Sequence, residues 1–297
     1  MPVPSSAYIG RFAPSPSGPL HFGSLIAAVG SYLQAKSQHG QWLVRMEDID
    51  TPRMVAGADS DILRTLEQFG LHWDGTVLYQ SQRLERYQQI FRQLQQQQLI
   101  YGCQCSRKQI SESGGIYNGR CATLKLTTEP LAWRLKSQGV ASQFTDLIFG
   151  PQQIPAALAQ EDYIVKRRDG LFAYQLVVVV DDIDQGISEV IRGADLLQMT
   201  PRQQALCRLL GAVAPEYGHL PLAVIKPGFK LSKQNHAAPV SQWPVSKVMA
   251  NVLSFLGLSL PTDMQQAPVT QQLDWATAHW QLSTIPRQQE INCTQFA

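Results

Sequence analysis

The N-terminal segment constrains the fold more than any other feature of the sequence. A β-prone run, Ala7–Ile9, precedes residues 10–19, in which Pro and Gly exclude regular structure. Residues 21–36 are apolar and contain many small side chains, which is typical of a closely packed helix. Further strand and helix patterns alternate after it. Together they predict an α/β fold with a parallel sheet.

The alternation continues to about residue 100. A second strand is predicted over residues 42–46, and amphipathic helices are predicted near 57–69 and 82–99. In the later helix, one face is apolar and the opposite face is rich in Gln. The apolar face consists of Leu84, Tyr87, Phe91 and Leu94.

Residues from about 100 to 165 break this rhythm, and we interpret them as an insertion with its own small β-rich unit. The α/β pattern resumes with the segment 171–180, which is apolar on both faces. Such a run is typical of a central parallel strand, and Asp181 and Asp182 would end it.

The composition is that of an ordinary globular protein. Of the 297 residues, 44% are hydrophobic and 16% are charged, which excludes a disordered, collagen-like or coiled-coil chain. The net charge of +2 neither requires nor excludes nucleic acid. The longest strongly apolar run, Leu176 to Val180, is too short to span a bilayer, and the N-terminus lacks the pattern of a secretory signal. We therefore expect a soluble, cytoplasmic protein.

Three of the five cysteines, Cys103, Cys105 and Cys121, lie close together in the insertion. The odd total of five cysteines and the clustering of these three favour a metal site in a reducing compartment over a disulfide framework. Zinc prefers four tetrahedral ligands, and no His is near, so the fourth ligand would be water, a carboxylate or a phenol. Tyr117 is a poor ligand on chemistry alone, because its ordinary pKa is near 10. The alternative is a set of reduced, buried thiols beside a core tyrosine.

The start of the first helix has the features of a phosphate-binding site. Its unpaired N–H groups and positive dipole end favour an anion, and Gly18 and Gly23 allow a nucleotide to approach the backbone. His21 would donate a hydrogen bond to the phosphates. The alternative is a Pro- and Gly-rich turn that caps a core helix.

A basic loop follows the end of the predicted sheet. A helix starting near Pro201 and a strand over 221–225 precede this loop, in which Gly228 can act as a hinge. Lys230 and Lys233 can close over a triphosphate and neutralise its charge. Taken alone, the pair is more typical of a solvated basic loop than of a phosphate-binding one.

These motifs, in this order, resemble the catalytic core of class I aminoacyl-tRNA synthetases of the glutamyl branch. Residues 21–24 stand where that class carries His-Ile-Gly-His, and residues 230–234 stand where it carries Lys-Met-Ser-Lys-Ser. The resemblance covers roughly residues 7–240. Its other matching stretches are 11–15, 47–50, Tyr174 with Asp181 and Asp182, and 191–196.

The resemblance implies a Rossmann-type, parallel-sheet, nucleotide-binding core. Residues 1–100 and 166–240 would form its two halves, and residues 101–165 would form a small zinc-containing insertion. Residues 241–297 would form a short, helical C-terminal subdomain.

The resemblance also assigns roles to individual residues. Charge on the phosphates would be stabilised by His21 and Lys233, with Lys230 as second choice. The implied ATP-binding set is Gly18, His21, Gly23, Ser24 and Lys233. Arginine forks would hold the two carboxylates of glutamate, a carboxylate its ammonium, and a phenol would add a hydroxyl. The implied glutamate-binding set is Arg11, Ser15, Glu47, Tyr174 and Arg192.

Within that branch, the chain is most similar to the glutamyl-Q tRNA(Asp) synthetase family. Too few residues follow Gln234 for the long anticodon-binding region of a full glutamyl-tRNA synthetase. The resemblance implies that ATP with Mg²⁺, L-glutamate and queuosine-containing tRNA(Asp) are the substrates. We also expect a monomer that has no membrane partner. The family's C-x-C…Y-x-x-x-C site implies one structural Zn²⁺ bound by Cys103, Cys105, Tyr117 and Cys121.

The sequence departs from the pattern at three positions. Ser24 replaces the second His of the first motif, Gln234 replaces the final Ser of the lysine motif, and Val178 replaces an Asn that could bind glutamate. Two alternatives stay open, and these departures bear on the second of them. One is a short conventional glutamyl-tRNA synthetase that charges a tRNA 3′ end, and the other is a catalytically silent RNA-binding paralogue.

Overall fold

The computed structural model describes residues 7–137, 139–231 and 237–294. The strands are β1 (Ile9–Phe12), β2 (Gln41–Met46), β3 (Leu78–Tyr79), β4 (Ile100–Cys103), β5 (Ala132–Leu135), β6 (Gln143–Asp146), β7 (Gly150–Gln153), β8 (Tyr163–Lys166), β9 (Glu189–Gly193), β10 (Glu216–Leu220), β11 (Leu222–Lys226), β12 (Phe229–Lys230) and β13 (Glu290–Asn292). The helices are α1 (Phe22–Ser37), α2 (Ala58–Gln68), α3 (Leu84–Gln96), α4 (Arg107–Glu112), α5 (Ala156–Ala159), α6 (Tyr174–Asp184), α7 (Thr200–Leu209), α8 (Val245–Phe255) and α9 (Val269–His279).

The centre of the fold is a layer of parallel strands. Strand β2 pairs in parallel with β1 and β3, and β9 pairs in parallel with β10. The two groups meet where the Ser188 amide, just before β9, donates a 3.0 Å hydrogen bond to the Ile9 carbonyl of β1. The predicted α/β fold with a parallel sheet is therefore confirmed.

Helix α1 packs on this layer and on the C-terminal helices. It contacts β1, β2 and β9 on one side and α8 and α9 on the other, so it is buried for most of its length. Its Ala, Gly and Ser residues allow these close approaches. Its N-terminus lies at the carboxyl ends of the parallel strands.

The prediction of a central strand over residues 171–180 is wrong. The segment forms helix α6, whose valines, Val177 to Val180, are buried together among α3, β8 and α7. A helix surrounded by apolar neighbours is apolar on every side, so periodicity cannot distinguish it from a buried strand. Asp181 and Asp182 therefore do not end the element; they lie in its last turns.

The apolar stripe of α3 is confirmed at three of its four positions. Tyr87, Phe91 and Leu94 are buried, but the side chain of Leu84 is 50% exposed. Leu84 is the first residue of the helix, directly after a 3-10 turn at Gln80–Arg83, so it lies at the edge of the cluster that the other three fill.

The segment after β4 is β-rich. Strand β5 pairs in antiparallel fashion with β4 and β8, and β6 and β7 form a hairpin. This hairpin docks on the parallel layer, because the Leu147 amide donates a 2.9 Å hydrogen bond to the Tyr217 carbonyl of β10. It thereby brings Asp146 against the core.

The C-terminal segment contains α8 and α9, as its pattern predicts, together with a strand that the pattern missed. Strand β13 pairs in parallel with β11, which also pairs with β12. Within the part of the chain that the structure describes, no helix is long and apolar enough to cross a bilayer.

Candidate active site

Three adjoining cavities form one cleft over the carboxyl ends of the parallel strands, where open α/β sheets bind their ligands. The inner cavity, of about 160 Å³, is lined by Arg11, Glu47, Tyr174 and Arg192. The outer cavities, of about 230 Å³ and about 330 Å³, both include His21, Ser24 and Lys230. Ala27 lines all three cavities. The cleft thus brings the predicted amino-acid residues next to the predicted nucleotide residues.

On the β1 and β2 side of the inner cavity, an arginine is held by a carboxylate. Arg11 donates from Nε and Nη2 to the two oxygens of Asp182, at 3.1 and 3.4 Å. Arg45 donates from Nη2 to the same carboxylate at 2.8 Å. Burial opposes the ionisation of Asp182, but the two guanidinium groups hold its pKa below its usual value. The Nη1–Nη2 edge of Arg11 shares only Nη2 with the edge that Asp182 occupies.

Glu47 lies beside this cluster, directly after β2. Burial raises its pKa to about 7, although Arg45 and Arg11 act in the opposite direction. The nearest Arg45 nitrogen is 3.9 Å from Glu47 Oε1, so the carboxylate lacks a close ion-pair contact there. A ligand ammonium at this position would favour the ionised form.

On the β9 and β10 side, an arginine is held by neutral acceptors. Arg192 is buried, and its Nε donates to His219 Nε2 at 3.0 Å. Nη1 donates to Gln203 Oε1 at 2.6 Å, and Nη2 donates to Thr200 Oγ1 and the Leu196 carbonyl at 2.9 and 3.2 Å. None of the ion pairs between described residues includes Arg192, so its charge is available to an anionic ligand.

His219 is itself held by a carboxylate. Its Nδ1 is 2.6 Å from Asp146 Oδ2, and both side chains are completely buried. Burial lowers the pKa of His219 to about 4, despite the attraction of Asp146. The ring is therefore neutral at pH 7.

The outer cavities contain the N-terminus of α1. His21 is its N-cap, and its Nδ1 accepts a 3.2 Å hydrogen bond from the Ser24 amide. The neutral ring then carries its proton on Nε2, which lies 2.9 Å from Ser24 Oγ. The hydroxyl that replaces the second His of the motif therefore contacts the first.

Two glycines near the N-terminus of α1 are explained by the backbone, one by its conformation and the other by close packing. Gly18 has a φ of 133°, in a region that side chains disfavour. A Cβ on Gly23 would lie 3.2 Å from both the His21 ring and the Leu231 carbonyl. Gly23 therefore lets the backbone of the lysine motif approach α1 at Leu231.

The lysine motif is only partly described. Lys230, in β12, contacts Asp195 Oδ2 at 2.5 Å across the cavity from His21. Lys233 and Gln234 lie outside the described residues.

Other predicted residues fall in different places. Tyr174 lines the inner cavity from the first turn of α6, and burial raises its pKa. Ser15 lines an outer cavity instead of the inner one. Val178, one turn beyond Tyr174, is buried in the hydrophobic core and not among the inner-cavity residues.

Sequence reasoning missed several polar residues that support the inner cavity. They are Arg45, Asp146, Thr200, Gln203 and His219. A signal existed only for Arg45, because it is a charged residue in a predicted strand that is otherwise apolar. The other four come from three segments, β6, α7 and β10, that meet only in the folded chain.

The three clustered cysteines come together as predicted. The sulfur atoms of Cys103, Cys105 and Cys121 lie within 4.8 Å of one another, which is compatible with thiolates around one tetrahedral ion. Burial works against the Cys121 thiolate, but contacts with Tyr117 and with the Gln104 amide lower its pKa to about 7. This cluster can therefore hold a metal ion.

Tyr117 lies at the edge of the cysteine cluster. Its hydroxyl accepts a 2.9 Å hydrogen bond from the Cys121 amide, and the Arg134 guanidinium stacks on its ring at 3.7 Å. Burial and the Cys121 side chain raise the pKa of the phenol. The neighbouring Arg134 also donates to Cys103 Sγ at 3.3 Å, so a cation is available to stabilise thiolates.

Comparisons with known proteins agree with this geometry. Residues 9–262 match the family model described as tRNA synthetases class I (E and Q), catalytic domain. The solved glutamate tRNA ligase from Elizabethkingia meningosepticum shares the fold, with a TM-score of 0.79 and 24% identity over 95% of this chain and 66% of its own. The chain thus contains the catalytic domain of a class I tRNA synthetase, with the fold of that class.

Curated relatives narrow the assignment. The glutamyl-Q tRNA(Asp) synthetase of Vibrio vulnificus is 56% identical over 97% of this chain and 94% of its own length. That of Pectobacterium atrosepticum is 51% identical over 97% of this chain and 90% of its own. The chain belongs to the glutamyl-Q tRNA(Asp) synthetase family.

Proposed function

We propose that this chain activates L-glutamate with MgATP and transfers the glutamyl group to queuosine, the modified wobble base of tRNA(Asp). The observation that carries the proposal is the inner cavity, where Arg11, Arg192 and Glu47 surround a space that opens onto the N-terminus of α1. Two cations and one anion complement the two carboxylates and one ammonium of glutamate. Family membership supports the same substrate class.

The first step joins glutamate to AMP. The α-carboxylate oxygen attacks the α-phosphorus, a new P–O bond forms, and the bond to pyrophosphate breaks. The protein needs no nucleophile of its own, so its contribution is positioning and electrostatic stabilisation. Arg11 and Arg192 would hold the carboxylates, Glu47 the ammonium, and Tyr174 would add a hydroxyl. His21, Lys233 and Lys230 would stabilise charge on the phosphates, with the backbone at Gly18, Gly23 and Ser24 close to the nucleotide.

In the second step, a hydroxyl of the cyclopentene ring of queuosine attacks the carbonyl carbon of the adenylate. An ester bond forms, the bond to the AMP oxygen breaks, and the hydroxyl proton is released. Single-stranded loop bases are the RNA groups that proteins most often read, so an anticodon-loop target is physically reasonable.

The cysteine cluster is proposed to bind one structural Zn²⁺ through Cys103, Cys105, Cys121 and Tyr117. Zinc would crosslink the end of β4 to the loop that contains Cys121. Metal analysis of protein purified without chelator should find about one zinc per chain. Cys121→Ser should lose it, whereas Cys207→Ser, at a buried cysteine outside the cluster, should retain it. A folded wild-type protein without metal would refute the site.

Transfer of labelled glutamate in the presence of ATP tests the proposed function. Label should appear on tRNA(Asp) that contains queuosine, and neither on tRNA(Asp) without it nor on tRNA(Glu). Label on tRNA(Glu) instead would identify a short conventional synthetase. No label on any tRNA and no glutamate-dependent ATP–pyrophosphate exchange would favour the silent RNA-binding paralogue.

A second experiment tests the lysine motif. Lys233→Ala should abolish glutamate-dependent ATP–pyrophosphate exchange without changing the circular-dichroism spectrum. Lys247→Ala, in α8 and outside the residues that line the cleft, is the control. Wild-type exchange in Lys233→Ala would remove this lysine from the mechanism.

A further inference from the structure

Backbone amides fix the orientation of the Asp146 carboxylate toward the His219 ring. Its Oδ1 accepts hydrogen bonds from the amides of Ile148 and Phe149, at 2.9 and 2.8 Å, and from the amide of His219 at 3.3 Å. Its Oδ2 is left to face His219 Nδ1. The β6–β7 hairpin thus projects a rigid acceptor into the layer of parallel strands.

These contacts determine which nitrogen of His219 carries the proton. An arginine is always protonated, so Arg192 Nε can only donate to His219 Nε2, which must accept. The proton of the neutral ring is then on Nδ1, where it is donated to Asp146. Burial and the adjacent guanidinium both disfavour a second proton on the ring.

We propose that Asp146 and His219 are positioning residues that fix the Arg192 guanidinium for a carboxylate of the amino-acid substrate. The pair places a neutral acceptor, the His219 ring, beside Arg192. The ring lies between the guanidinium and the carboxylate of Asp146. Arg192 is therefore oriented without being neutralised by direct contact. This proposal rests on the proposed function, because it takes glutamate as the ligand of the inner cavity.

Asp146→Asn is the most direct test, since it changes no side-chain volume. The three amides at Oδ1 require the amide oxygen of the new side chain, so its NH₂ group would face His219 Nδ1. The ring would then carry its proton on Nε2, where it opposes the Arg192 Nε–H. We expect the KM for glutamate in ATP–pyrophosphate exchange to rise about 10- to 100-fold, with the KM for ATP unchanged.

Two substitutions at His219 separate its two contacts. The amide of His219→Gln can reach the position of Nε2 and accept from Arg192, whereas the amide of His219→Asn can reach only the position of Nδ1 and donate to Asp146. We expect His219→Gln to retain most of the affinity for glutamate and His219→Asn to lose it. A purely structural role would give equal effects, or parallel increases in the KM values for glutamate and ATP. Either result would overturn the proposal.

A readout that needs no activity separates this proposal from the proposed function. In the nitrogen-15 NMR spectrum of histidine-labelled protein, Nδ1 of His219 should be protonated and Nε2 unprotonated, and the two should exchange roles in Asp146→Asn. The opposite pattern in the wild type would overturn the proposal whatever the enzyme does. Wild-type protein with the expected pattern but no glutamate-dependent exchange would instead refute the proposed function.

Discussion

The two sides of the inner cavity hold an arginine in opposite ways. On the β1 side, Arg11 and Arg45 share the buried carboxylate of Asp182. On the β9 side, Arg192 contacts a neutral imidazole, an amide, a hydroxyl and a carbonyl. One side is a buried ion-pair cluster, and the other is a buried cation with neutral partners.

This difference assigns different tasks to the two sides. A buried ion pair contributes little net stability but is costly to break, so the Asp182 cluster holds β1, β2 and α6 in one arrangement. A cation with only neutral partners keeps its field, which is strong because Arg192 is buried. The β9 side is therefore suited to attract an anion, whereas the Asp182 cluster on the β1 side fixes the shape of the cavity around Arg11 and Glu47.

The largest expected effect is on the β1 side. Asp182→Asn would leave two buried arginines without their shared carboxylate, and we expect a loss of about 3–5 kcal/mol in the free energy of unfolding, measured by urea denaturation. Asp184→Asn is the matched control, because Asp184 pairs with Arg83 and Arg86 near the surface, and it should cost at most about 1 kcal/mol. Equal losses of stability in the two variants would mean that the buried Asp182 cluster contributes no more than the surface pairs of Asp184.

The β9 side should respond in substrate affinity more than in stability. Arg192→Gln removes the cation but keeps a polar group, and we expect the KM for glutamate to rise about 100-fold with a smaller loss of stability than in Asp182→Asn. ATP–pyrophosphate exchange and urea denaturation measure the two effects. Arg208→Gln, at an exposed position of α7, controls for the loss of charge. A collapse of the fold in Arg192→Gln, with KM unchanged, would reverse the assignment of tasks.

Glu47 gives the β1 side a dependence on pH. Its pKa of about 7 means that the ionised fraction, which alone can bind an ammonium, rises about tenfold between pH 6 and 8. The KM for glutamate should fall by about that factor over this range. In Glu47→Gln, the KM should be higher and its slope between pH 6 and 8 should disappear. The same slope in both proteins would mean that another group titrates.

The sign of the Glu47 effect on stability is opposite to its effect on binding. Its folded-state pKa is raised above the ordinary value of 4.5, so the protonated form favours folding. This contribution is fully present below pH 4.5 and is lost as the pH rises through about 7. The wild-type protein thus gains a charged ligand for the ammonium at the expense of some stability.

The sequence predicts the motif-bearing parts of the cleft because each motif is local. The loop and helix around His21, the strand before Glu47 and the cysteine cluster follow from turn chemistry, helix propensity and residue spacing. The parallel α/β fold also follows from the alternation of strands and helices. The roles of the individual cleft residues stay predictions.

The supporting contacts could not be predicted, because they depend on long-range packing. Asp146 and His219 are 73 positions apart, and nothing in either segment indicates the other. The secondary-structure prediction for α6 failed for a related reason, because a run of valines that is buried on all sides shows no hydrophobic periodicity. The Asp146–His219 contact and the helical state of α6 both depend on what surrounds these residues in the folded chain.

The smallest test concerns a single neutral partner of Arg192. Thr200→Val keeps the shape of a completely buried side chain but removes the hydroxyl that accepts from Nη2. Three other contacts would still hold the guanidinium, so we expect a loss of about 0.5–1.5 kcal/mol in glutamate binding, seen as a several-fold higher KM. Thr270→Val, exposed on α9, should change nothing. A loss as large as that of Arg192→Gln would mean that the neutral partners act as one cooperative unit, in which no single contact can be removed without releasing the cation.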